Sequence, residues 1–186
     1  MPAARVGFGQ HCGGAQLLAG QGEARLDESQ RAAFDAALAE FEAMQAANAD
    51  APFAWLNLGV VQERRGRNAE AKRSYRKALD LDARFLPAVF NLATLLSTTG
   101  DGATAERVLE AALELDPEEG ELHYSLGLLR AELGNLEGCA EALEAASERL
   151  PDRPRIHFNR GLALLQLGRS GPAEKALLRA ASLAPE

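Results

Sequence analysis

The stretch PFAWLNLGVVQERRGRNAEAKRSYRKALDLDARF (Pro52–Phe85) is followed at once by LPAVFNLATLLSTTGDGATAERVLEAALELDPEE (Leu86–Glu119), and the second copies the first with a period of thirty-four residues. The register continues without insertion from Gly120 and from Pro154. Four units result, 52–85, 86–119, 120–153 and 154–186, the last one residue short. Counted from the first residue of each unit, place 8 holds Gly59, Ala93, Gly127 and Gly161, and place 15 holds Gly66, Gly100, Gly134 and Gly168. Place 20 holds Ala71, Ala105, Cys139 and Ala173; place 24 holds Tyr75, Leu109, Leu143 and Leu177; place 27 holds Ala78, Ala112, Ala146 and Ala180.

This pattern predicts two helices in each unit. A glycine at place 15 suits the left-handed residue that ends a helix, where a side chain is penalised. It marks the turn inside the unit. The small residue at place 20 lets the second helix approach the first closely. Pro117, Pro151 and Pro185, at place 32, stop the second helix, because proline removes a donor and disfavours helical backbone in its predecessor. Ala83 is the exception in the first unit.

Period and pattern together resemble the tetratricopeptide repeat, a helix-turn-helix unit of thirty-four residues. Trp55 at place 4 matches the family pattern, while Val89, His123 and His157 depart from it. The resemblance covers about three-quarters of the chain and implies an all-α fold, a right-handed α-solenoid of antiparallel helix pairs. Residues 1–51 read as an N-terminal degenerate repeat or capping helix region. Asp27 and Gln30 have the spacing of a capping box, and Phe34, Ala37, Leu38, Phe41 and Met44 follow the spacing of one apolar helical face. A helix over roughly 28–47 is expected to pack on the first full unit. Val6–Gly22, with six glycines, is read as a frayed or truncated partner helix.

Composition narrows the function. Only 5% of residues are aromatic while 47% are hydrophobic, much of it alanine, as in a soluble helical chain without a sheet. No apolar run is long enough to span a bilayer and no secretory signal is visible, so a cytoplasmic location is the default and membrane insertion is not expected. A net charge of -7 disfavours nucleic acid. The charge is uneven, however. Seven basic residues, Arg64, Arg65, Arg67, Lys72, Arg73, Arg76 and Lys77, face one acid, Glu70, whereas twelve acids between Glu106 and Glu148 face only Arg107 and Arg130. Both runs read chiefly as solvated helix faces, with docking by the basic run as the lesser reading.

No catalytic, metal or cofactor site is expected. His123 and His157 stand thirty-four residues apart at the place of Trp55, too far apart for one zinc if neighbouring first helices lie about 8–10 Å from each other. Cys139 substitutes for alanine at a close-packed place and reads as a small buried hydrophobe. Cys12, beside His11, has no second pair to complete a site.

What remains is a surface. In the family that this chain resembles, first helices line the inner, concave groove of the superhelix, with places 5, 6 and 9 pointing into it. Place 5 holds Leu56, Phe90, Tyr124 and Phe158, and place 9 holds Val60, Thr94, Leu128 and Leu162, an apolar and aromatic stripe. Place 6 holds Asn57, Asn91, Ser125 and Asn159, which offer donors and acceptors to the backbone of an extended peptide. The chaperone-tail clamp of some family members uses lysine and asparagine at places 5 and 9, where Leu56 and Val60 stand here. A noncatalytic protein- or peptide-binding scaffold is therefore expected. An alternative rests on a narrower resemblance of the stretch from Gln30 through Asn57, Leu58 and Gly59 to Tyr75–Leu79. It is similar to the repeat region of bacterial multidomain proteins that also carry c-type cytochrome modules, implying an accessory subunit or detached fragment of a redox complex and an exported or periplasmic location. No Cys-x-x-Cys-His is present to attach haem. Seventeen arginines against three lysines fit a GC-rich bacterial source. Leu177, Leu178 and Ala181, on a last helix expected over about 173–182, should leave an apolar edge, and a weak end-to-end homodimer is expected from it.

Overall fold

The computed structural model describes residues 27–184. The readings made of residues 1–26 and of Pro185 lie outside the described residues, as do the side chains of Phe34, Phe41 and Met44. Nine helices are present among the described residues: α1 (Glu28–Ala47), α2 (Pro52–Arg64), α3 (Asn68–Leu81), α4 (Leu86–Thr98), α5 (Gly102–Leu115), α6 (Gly120–Glu132), α7 (Leu136–Arg149), α8 (Pro154–Gln166) and α9 (Ser170–Leu183). No strand occurs among the described residues.

Local chemistry accounts for the ends. The backbone N–H of Asp27 donates to Gln30 Oε1 at 3.1 Å and that of Gln30 to Asp27 Oδ1 at 2.8 Å, so the reciprocal cap starts α1 as its spacing suggests. Asn135 Oδ1 accepts from the N–H of Gly138 at 2.9 Å and starts α7. Each first helix ends identically. Gly66, Gly100, Gly134 and Gly168 have φ of 73°, 85°, 80° and 73°. The N–H of the following residue, Arg67, Asp101, Asn135 or Arg169, reaches back five residues to a carbonyl at 2.8–2.9 Å, the closing bond of a Schellman cap. The second helices end two residues before place 32 whether or not proline stands there. In α3 the end carries Asp82, whose Oδ1 accepts from the N–H of Arg84 at 2.9 Å, so an Asx turn does what proline does elsewhere. The last helix begins at Ser170, three residues before its expected start, because Pro172 falls in the first turn, where no intrahelical N–H bond is lost.

The described residues form two compact units, 27–108 and 109–184. In the first, α1 packs on α2, α2 on α3 and α3 on α4. Leu38 of α1 is buried with Leu58 and Val61 of α2, and Trp55 packs against them. Arg65 ties the same two helices together: one nitrogen lies 2.8 Å from Asp35 and another donates to the carbonyl of Arg31 at 3.2 Å. The α2–α3 contact is tight at Gly59, where a Cβ would stand 2.4 Å from the ring of Tyr75. Tyr75 is fully buried and its hydroxyl donates to Glu63 Oε2 at 2.7 Å; beside it Ser74 Oγ donates to Gln62 Oε1 at 2.6 Å.

In the second unit α6 packs on α7, α7 on α8 and α8 on α9. Gly127 sits under Leu143 and Gly161 under Leu177, with hypothetical Cβ contacts of 2.8 and 2.6 Å. Cys139, Ala140, Leu143, Ala163, Leu164 and Ala173 form the core. Cys139 is fully buried, as its place predicts. Burial pushes its thiol up to about 11, Arg130 opposing weakly. A raised pKa favours the folded protein below the ordinary thiol value of 9.0, and that contribution is lost as pH rises through about 11. In a Cys12→Ser protein, a disulfide reagent at pH 8 should therefore leave Cys139 unmodified until denaturant is added. Rapid labelling of the native protein would show that the contact around Cys139 opens readily.

Place 4 has a role that its sequence variation conceals. Trp55 Nε1 donates to the carbonyl of Ala49 at 2.9 Å. The Nε2 of His123 and of His157 lies 2.8 Å from the carbonyls of Pro117 and Pro151, respectively. In each case a ring N–H reaches six residues back to a connecting-loop carbonyl left without a helical partner. The histidines are loop anchors as well as packing residues, and the signal for this is that histidine preserves tryptophan's N–H donor. Val89 supplies none.

Candidate peptide-binding faces

Helical periodicity sorts the first helices into a core side and an open side. In α2, Ala54, Leu58 and Val61 are buried while Leu56, Asn57 and Val60 stay partly exposed. In α4, Ala88, Leu92 and Leu95 are buried, Phe90 and Asn91 are half-buried and Thr94 is exposed. These six residues belong to the first unit.

The second unit repeats the arrangement. Tyr124, Ser125 and Leu128 of α6 and Asn159 and Leu162 of α8 are half-buried, and Phe158 is 49% exposed. Asn159 Nδ2 donates to the Tyr124 hydroxyl at 3.2 Å, which joins place 6 of one repeat to place 5 of the repeat before it. Tyr124 also packs against the Cys139 core, so part of its ring belongs to the scaffold. Leu165, 46% exposed, extends the open side by a turn. With Phe158 and Leu162 it follows the i, i+4, i+7 spacing of one helical face, a signal present in the sequence but not among the places read from it.

The charged runs are less simple than their composition. Among the twelve acids of the second run, Glu110 pairs with Arg130 at 2.8 Å, Glu118 with Arg149 at 3.0 Å, Glu121 with Arg153 at 2.6 Å and Glu137 with Arg169 at 2.9 Å; Glu144 pairs with Arg160. Arginines of later residues thus neutralise much of the acidic run. In the basic run Arg65 holds Asp35, Arg67 lies 3.5 Å from Glu70 and Lys72 Nζ donates to Thr99 Oγ1 at 2.7 Å. Arg64, Arg73, Arg76 and Lys77 are exposed. Among the described residues, no three His, Cys, Asp or Glu side chains converge as metal ligands, and no helix is long and apolar enough to cross a membrane.

Comparison with known proteins agrees with this architecture. Two family models, each described as "Tetratricopeptide repeat", match the chain, one at residues 63–129 and 98–162, the other at 20–84 and 139–186. No curated protein matches the sequence. Among solved structures, MamA superimposes with a TM-score of 0.70 at 23% identity, over 85% of this chain and 95% of MamA. MamA from Desulfovibrio magneticus RS-1 gives 0.68 at 21% identity, over 83% and 88%. YrrB, described as a TPR protein with an unusual peptide-binding site, gives 0.65 at 23% identity, over 85% and 81%. At these identities the likeness is one of fold.

Proposed function

The chain belongs to the tetratricopeptide repeat family, and from that premise we propose that it is a noncatalytic scaffold that binds an extended protein or peptide segment along the open sides of its first helices. The observation that carries the reading is the exposure pattern of places 5, 6 and 9. In both units these residues stay at least partly exposed on helices whose other side is buried. Exposed aromatic and aliphatic groups beside amides are the makings of an interaction surface, apolar contact supplying affinity and amides satisfying a peptide backbone. The peptide-binding site named for YrrB adds support from a protein of similar fold. The alternative drawn from c-type cytochrome proteins gains no support from the comparisons.

The test is selection of random peptides on the immobilised protein, followed by titration of the selected peptides against variants. Phe158→Ala combined with Leu162→Ala in the second unit, and Phe90→Ala in the first, should each weaken binding about tenfold or more with helicity unchanged. Selection of no peptide, or selected peptides indifferent to all three substitutions, would overturn the reading. A collapse of helicity in Phe90→Ala alone would assign that side chain to the core and leave Phe158 and Leu162 as the deciding test.

A further inference from the structure

In the first three repeats place 7 is a core leucine: Leu58, Leu92 and Leu126 are all buried. In the fourth it is Arg160. A guanidinium at a core place is costly unless something compensates it. Beside it α8 and α9 leave a cleft of about 450 Å³, lined by His157, Arg160, Gly171, Pro172, Lys175 and Arg179 among others. Lys175 and Arg179 stand where the preceding repeat has Glu141 and Ala145. The first repeat has Leu58, Arg73 and Lys77 at these three places and the second Leu92, Arg107 and Ala111, so the fourth repeat is the one in which all three are cations.

Protein groups use only part of this donor set. Arg160 gives one terminal nitrogen to Glu144, while its Nε is buried without a protein partner, and a buried donor left unmade is destabilising. Arg179 gives one terminal nitrogen to Asp152 Oδ1 at 3.2 Å and the carbonyl of Pro151 at 3.4 Å. His157 spends Nε2 on that same carbonyl. Lys175 is exposed. Gly171 and Pro172 form the first turn of α9, a fourteen-residue helix whose N-terminal end adds a partial positive charge of about half a unit. Three cations less Glu144 and Asp152, with that helix end, leave a surplus of roughly one and a half charges, close to the charge of a phosphate monoester near neutral pH.

We propose that this cleft binds the phosphate group of a small phosphorylated solute. Arg160 and Arg179 supply planar donors suited to two phosphate oxygens, and Lys175 supplies a movable point charge. The cleft is open to solvent and leaves room beside the cations for more than a bare ion. Glu144 of α7, and Asp152 with the Pro151 carbonyl in the loop after it, hold Arg160 and Arg179 in place.

The test uses the whole chain at low salt, titrated calorimetrically with glycerol phosphate, inorganic phosphate and acetate. Glycerol phosphate should bind saturably and most tightly, inorganic phosphate more weakly and acetate least. Arg160→Leu, which restores the residue of the other repeats, should keep the fold and weaken binding about tenfold or more, and Lys175→Ala should do likewise. Added chloride salt should weaken binding progressively. Absence of saturable binding up to about 10 mM, an affinity near 3 kcal/mol at most, would overturn the proposal. So would wild-type affinity in both folded variants. Equal affinity for inorganic phosphate would overturn the assignment of an organic carrier.

Discussion

Replacing Tyr75 by alanine should lower stability by about 3–5 kcal/mol, the largest effect expected of a single side chain in the first unit. The ring is fully buried between α2 and α3, above Gly59, and its hydroxyl is bonded to Glu63. Truncation removes apolar contact, opens a cavity and strands a half-buried carboxylate. Tyr75→Phe isolates the last contribution and should cost about 1 kcal/mol. Gly59→Ala attacks the contact from the other helix. A methyl 2.4 Å from the ring must displace it, costing about 1–3 kcal/mol of overpacking against a gain in helix propensity of roughly 0.5–1 kcal/mol. Gly127→Ala and Gly161→Ala meet leucine side chains instead, and the sequence already carries Ala93 at this place in the repeat whose place 24 is Leu109. They should cost less. Thermal and denaturant unfolding of the set checks the order; a Gly59→Ala protein as stable as the parent would show that the tyrosine ring has room to move. Burial, then the bond to Glu63, holds the Tyr75 hydroxyl well above its ordinary value of 10.0. The resulting stabilisation is complete below that value and lost at more alkaline pH, so its phenolate absorbance should appear only with unfolding.

Gly134→Ala should cost about 1–2 kcal/mol although a methyl there meets nothing within 4 Å. The whole penalty lies in the backbone, at φ 80°, and none of it in packing. Gly134→Asn should recover part of the loss, because asparagine tolerates the left-handed region better than alanine. Equal melting temperatures for the alanine and asparagine proteins would refute the backbone explanation. Equal effects at Gly66, Gly100 and Gly168 are expected, since each closes the same Schellman cap.

Both effects arise from features legible in the sequence alone. Period, turn glycines and the small residues of place 20 led to the helix pairs, because each is a local or nearest-neighbour requirement repeated four times. The Asp27–Gln30 cap was equally plain, its two bonds spanning only three residues. The role of Asp82 and the carbonyl bonds of Trp55, His123 and His157 were not, since they depend on where a loop carbonyl points after the helix ends.

The candidate site divides along the same line. That places 5, 6 and 9 lie on one side of a first helix follows from 3.6 residues per turn. That Asn159 spends an N–H on Tyr124, and that Tyr124 lends part of its ring to the core, depends on how neighbouring helices pack. The acidic run between Glu106 and Glu148 looked unbalanced along the chain because its arginine partners lie as many as thirty-two residues away. Arg160 is the sharpest case. Its departure from leucine is visible in the repeat, but only the packing of α8 and α9 shows that the guanidinium borders a cleft with Lys175 and Arg179. Local backbone preference and apolar periodicity are written in neighbouring residues; the meeting of charges distant in sequence exists only once the helices are packed.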